Sequence, residues 1–374
     1  AMLDEPERAE EYALKLLETA PDYPMLTEVF GAWIESLMRT GREREARAVA
    51  LDERDRWPAG DYRREPLDFL AASAAFQLGQ YGIAGLEFAA YLSNYQSGSR
   101  RIEASYSRAV CYLHLRRWDH AMTVLDALLL DDAAGEWTDG ALYYRAFCRT
   151  TGDAAGPAEA DLKRLLDEFP ESPHRGSAWN LLGDLQYRAR AWEVAERYYT
   201  EAENSGDEEA AAYGAFQHIR IAVARVDTAS AIQRYRVFRE RHPASKELPE
   251  ASVVIARVLE AEGRAADAID LLTSDLLDRG DRVRDAGLKT LMHAHNAMYK
   301  RTHGYQALIE RLRAFPASTP PPRPLAAWLA FAEIEALESL GEEAEAARIQ
   351  ERYRFLAVEY ELDELDGIFI LKLA

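Results

Sequence analysis

Few residues in this chain have types and spacings that could do chemistry. His293, His295 and His303 lie close in sequence, but on a helix residues two apart project from different faces, so His293 and His295 are badly placed to share a metal. Cys111 and Cys148 are the two cysteines, too few for a disulfide framework and without the paired spacing of a zinc site. Asp131-Asp132 offers oxygens for calcium, yet the ordered spacing of a calcium loop is missing. Adjacent carboxylates such as Glu208-Glu209 and Glu342-Glu343 need only be solvated helix faces. The glycines stand singly at turns, so no loop cradles a phosphate, and no serine occupies a nucleophile elbow. The expectation is a protein without catalytic residues, metal or cofactor.

The elements that would position any functional residue repeat along the whole chain. Ala9, Ala46, Ala84, Ala121, Ala158, Ala195, Ala231, Ala268, Ala307 and Ala346 are spaced by 37, 38, 37, 37, 37, 36, 37, 39 and 39 residues, a period of paired helices. Twelve residues before the alanine stands a small residue at Ala72, Ala109, Ala146, Gly183 and Ala256, with Ile34, Ile219, His295 and Ile334 as exceptions. Twelve residues after it, Pro21, Pro58, Pro170 and Pro243 stop the second helix, because proline lacks the N–H that would continue it.

The segment 178–202 shows the unit most completely, with Trp179, Leu182 and Gly183 on the first helix and Ala195, Tyr199 and Ala202 on the second. It resembles the tetratricopeptide repeat (TPR) without a gap; the other copies keep mainly the small residues, and the period is longer than that family's usual repeat. The phrases Glu-Phe-Pro-Glu-Ser-Pro at 168–173 and Arg-His-Pro-Ala-Ser at 241–245 resemble the extracytoplasmic bacterial branch, with its outer-membrane assembly lipoproteins and Tol-Pal-associated proteins. The resemblance implies an all-α fold, an α-solenoid of about nine antiparallel helix pairs wound into a right-handed superhelix, in which each amphipathic pair buries its apolar face only against its neighbours. Cys111 and Cys148 then hold one slot of adjacent repeats, about 10 Å apart by ordinary helix packing and beyond a disulfide's reach, and are expected as buried apolar residues.

One repeat domain is expected over 1–374: an N-terminal half repeat at 5–20, nine pairs over 26–356, and a tail at 357–374 that either caps the last pair or leads to a further domain. Pro316, Pro320, Pro321, Pro322 and Pro324 predict a stiff extended connector and possible hinge at 316–325, and Asp131–Asp139 predicts a long acidic loop. The opening Ala1-Met2 reads as a trimmed end, with a targeting or anchoring segment expected upstream.

With 45 basic and 64 acidic residues, the net charge of −19 repels nucleic acid and anionic lipid, and no stretch is apolar enough to span a bilayer. A protein or peptide partner remains; oligomeric state stays open. The resemblance places such a partner on the concave face of the first helices. One slot there, three residues before the small residue, reads Gly31, Phe69, Tyr106, Tyr143, Asn180, Phe216, Val253, Met292 and Phe331; a second, four residues after it, reads Met38, Phe76, Leu113, Thr150, Tyr187, Val223, Glu260, Tyr299 and Glu338. Phe69, Phe76, Tyr106, Tyr143, Phe147, Tyr187 and Phe216 are the candidate groove residues, since aromatic rings anchor peptides at small entropic cost. Three readings stay open for these rings: core of the stack, peptide groove, or walls of a small-molecule cavity. Two function classes follow, an interaction scaffold of the bacterial envelope or cytoplasm, and an accessory region of a larger cell-envelope enzyme. Self-assembly through the ends is a third, weaker alternative.

Overall fold

The computed structural model describes residues 6–20, 23, 25–58, 61–151, 155–279, 285–318 and 323–359. Of the connector expected at 316–325, residues 316–318 and 323–325, with Pro316 and Pro324, are helical rather than extended and 319–322 lie outside the described residues; of the tail expected at 357–374 only 357–359 are described, and they end a helix. Two compact units divide the chain, residues 1–185 and 186–374. In the first, α1 (Pro6–Thr19) precedes the pairs α2 (Leu26–Arg39) with α3 (Glu43–Arg54), α4 (Glu65–Gln77) with α5 (Tyr81–Asn94), α6 (Arg101–His114) with α7 (Trp118–Leu129), and α8 (Thr138–Thr151) with α9 (Ala155–Glu168). The unit boundary falls within α10 (Arg175–Arg188), followed by α11 (Trp192–Glu203). In the second unit come α12 (Glu208–Ala224) with α13 (Thr228–Arg241), α14 (Leu248–Ala261) with α15 (Ala265–Arg279), α16 (Asp285–Ser318), and α17 (Arg323–Leu340) with α18 (Glu343–Glu359). Gly304, at φ 86 and ψ 173, breaks α16 into two limbs. The described residues thus form a leading helix and nine antiparallel pairs, an all-α solenoid.

The periodic alanines are the contact points of the stack. Ala46, Ala84, Ala121, Ala158, Ala195, Ala231 and Ala268 have no exposed surface, and the residues twelve positions earlier are equally buried. A helix packed at 8–10 Å from its neighbours leaves room for a methyl group at such a point and little more.

Seven of the pairs turn on a residue five positions before the alanine, whereas α16 breaks at Gly304, three positions before Ala307. Gly41, Gly79, Arg116, Arg190, Val226, Gly263 and Gly341 all have φ between 55° and 80°. In the first pair the N–H of Gly41 donates to the carbonyl of Met38 and that of Arg42 to Leu37, the bonds by which a left-handed residue closes a helix end. Three copies do this without glycine. The acidic segment expected as a loop is instead a 3₁₀ turn, Asp132–Trp137, started by Asp131, whose side chain accepts from the Ala133 N–H at 3.0 Å and from Arg101 at 2.7 Å. Local hydrogen bonds of this kind satisfy a short connector that propensity alone leaves irregular.

Candidate functional site

First helices of successive pairs adjoin, α2 on α4, α4 on α6 and α6 on α8 in the first unit, and α12 on α14 and α14 on α16 in the second. Their side chains therefore make a continuous face within each unit. The slot three residues before the small residue is largely closed in both.

Phe69 is 1% exposed, with Phe88 and Tyr91 at 5.8 and 5.6 Å and the Arg100 guanidinium 4.7 Å above its ring. Phe216 is 3% exposed and meets Phe238 at 6.4 Å. Both are core residues, the first of the three readings open for these rings, and neither is available as a groove anchor. A helical side chain leans back over the preceding turn, and here that direction leads into the stack. Tyr106 is half-buried between Trp137 (4.8 Å) and Tyr144 (5.9 Å), so close to Gly140 that a Cβ there would lie 2.9 Å from its ring. Burial raises its hydroxyl's pKa. Tyr143 is half-buried and stacks on His174 at 5.0 Å.

Of the candidates Phe147 is exposed, and Phe76 and Tyr187 are half-buried near helix ends. In the first unit two separate ring groups hold Phe76 and Phe147. His114 lies flat on Tyr81, 3.8 Å between centroids and 1° between planes, and Phe76 meets both edge-on at 6.4 and 5.5 Å. One residue on, Leu115 is 40% exposed; Trp118 then opens α7 and touches Phe147, itself 37% exposed, at 5.9 Å. Arg116 and Arg117 are exposed in the same turn. In the second unit Tyr187 contacts Trp192 at 5.0 Å and carries the Arg220 guanidinium 5.1 Å above its ring. Tyr81, Trp118 and Trp192 open second helices, outside the two first-helix slots. The sequence marks them nonetheless, since each stands three residues before a repeat alanine.

The groups that could do chemistry are sequestered or dispersed. Cys111 and Cys148 are free thiols in the core, and burial pushes them up to about 12 and about 11 respectively, far from a nucleophile's range. His295 is fully buried while His303 is exposed. Among the described residues no cluster of three or more His, Cys, Asp or Glu side chains is placed to hold a metal, and no helix is long and apolar enough to cross a membrane.

No protein-family model and no curated protein matches the chain. Solved structures do match. The apo form of the quorum sensor NprR from B. thuringiensis aligns over 88% of this chain and 97% of its own, at 14% identity and a TM-score of 0.53. A tetratricopeptide repeat protein from Parabacteroides merdae aligns over 71% and 98%, at 16% identity and a TM-score of 0.52. PilW, a type IV pilus biogenesis factor, aligns over 60% and 96%, at 20% identity and a TM-score of 0.49. The fold is that of tetratricopeptide-repeat proteins.

Proposed function

We propose that this chain is a non-catalytic scaffold that captures a partner protein, through a peptide or a helix, on the first-helix face and turn edge of its first unit. The observation that carries this reading is the exposure of Leu115, next in the chain to His114 of the Phe76–Tyr81–His114 cluster, and of Phe147 against Trp118. Large apolar side chains exposed next to ordered rings lose area to water that a partner would recover, and such anchors are worth about 2 kcal/mol or more when centrally buried in an interface. The phrases at 168–173 and 241–245 support a bacterial envelope setting, which fractionation of source cells tests.

The test is a pull-down from a lysate of the source organism with the wild-type chain and a Leu115→Ala/Phe147→Ala variant as baits. A protein retained by the wild type and lost from the variant, at equal helicity, supports the reading. Equal retention by both baits removes it.

A further inference from the structure

The outward face of α5 departs from the pattern of the other second helices. Its 14 residues include one charge, Glu87, and that carboxylate is taken by Arg47 of α3 at 2.8 and 2.7 Å. Ile83 and Leu86, one residue before and two after the repeat alanine Ala84, are nevertheless 47% and 74% exposed. Gly82 and Ala90 lie exposed in the same stripe. The positions of Leu86 and Ala90 are held by Arg197 and Glu201 on α11 and by Asp270 and Ser274 on α15, polar residues of the kind a solvated helix face carries. A helix that is apolar on every side is normally covered on every side, whereas the stack covers one side of α5 and leaves the other to water.

A second copy of this chain fits that side. Two chains of charge −19 repel one another, so they meet most readily where charge is absent. A symmetric pair uses one patch twice, and the patch must be complementary to itself. With two α5 helices antiparallel and Leu86 on the two-fold axis, residues equally far before and after Leu86 face each other. Ile83 then lies against Ala89 of the second copy and Gly82 against Ala90, large on small and small on small, a relief that lets helices close to about 8–10 Å. The same axis crosses the adjoining α3 at Ala48, which holds the position of Leu86, and sets exposed Arg44 of one copy opposite exposed Asp52 of the other, twice by symmetry. We infer that the outward face of α5 is the contact between two antiparallel copies of this chain, with Leu86 at its centre and Arg44–Asp52 pairs at its margin.

Sedimentation equilibrium of the full chain, from low to high micromolar concentration, reads the assembly. The wild type is expected to rise in mass toward that of two chains. Leu86→Glu sets two carboxylates together on the axis at an exposed site, and should weaken the dimer at least tenfold at unchanged helicity, whereas Leu115→Ala/Phe147→Ala at the turn edge should leave it intact. Arg44→Glu should weaken it severalfold, and Arg44→Glu/Asp52→Arg should restore it. A wild type that stays monomeric throughout leaves the α5 face to a different partner and overturns the assignment. A dimer that survives Leu86→Glu, or charge variants that do not weaken and restore it in that order, overturns it as well.

Discussion

The carboxylate of Asp161 accepts two hydrogen bonds from the Arg145 guanidinium, at 2.9 and 2.7 Å, across the helix pair α8–α9. Arg149 adds a third at 2.6 Å, and Arg145 also reaches Asp126 on α7 at 2.8 Å. Asp161 is buried, so the group ties three helices of the first unit in a setting that salt screens poorly. Asp161→Ala leaves two partly buried cations short of a partner and is expected to cost about 3 kcal/mol. Glu168→Ala, which breaks an exposed pair with Arg164, should cost less than about 0.5 kcal/mol. Urea unfolding of the two variants compares them directly, and equal midpoints would refute the distinction.

Val226 is 81% exposed with φ at 60°, a conformation that a β-branched residue adopts only under strain. Val226→Gly should raise stability by about 1 kcal/mol, the strain relieved exceeding the entropy that glycine adds to the unfolded chain. Gly341→Val, at the equivalent turn with φ at 80°, should move stability the other way. Thermal midpoints of the pair read the sign.

His295 fills a small-residue slot and is fully buried; burial, opposed by its contact with Asn296, lowers its pKa from 6.5 to about 4. Between those values the unfolded histidine binds a proton that the folded one does not. Stability contributed here is therefore whole above about pH 6.5, declines as the pH falls, and levels off below about 4, by about 3 kcal/mol in all. In His295→Gln that slope should disappear. Urea midpoints at pH 7, 5.5 and 4.5 for both chains decide it, and parallel declines would show that other groups dominate.

Phe69→Ala should cost about 3 to 5 kcal/mol, as a buried ring leaves a cavity, while Phe147→Ala should stay within about 0.5 kcal/mol, as at most surface sites. Denaturation of the two variants separates core from surface. A large loss in Phe147→Ala would place that ring in the core and withdraw it as an anchor.

The period of alanines established the helix pairs from sequence, because a stack of equal units must place its smallest side chain at the same tight contact in every copy. It also marked Cys111 and Cys148 as core residues, and glycine marked four of the left-handed turns. Arg116, Arg190 and Val226 make the same turn without a signal, since the closing hydrogen bonds outweigh their own preference. Phe69 and Phe147 show what only the tertiary structure decided. Both are phenylalanines on first helices, and helical periodicity gives each a direction. Whether a direction ends in solvent or against a neighbouring helix is a property of residues far away in sequence, so burial, and with it the distinction between core and binding face, appears only once the pairs are stacked.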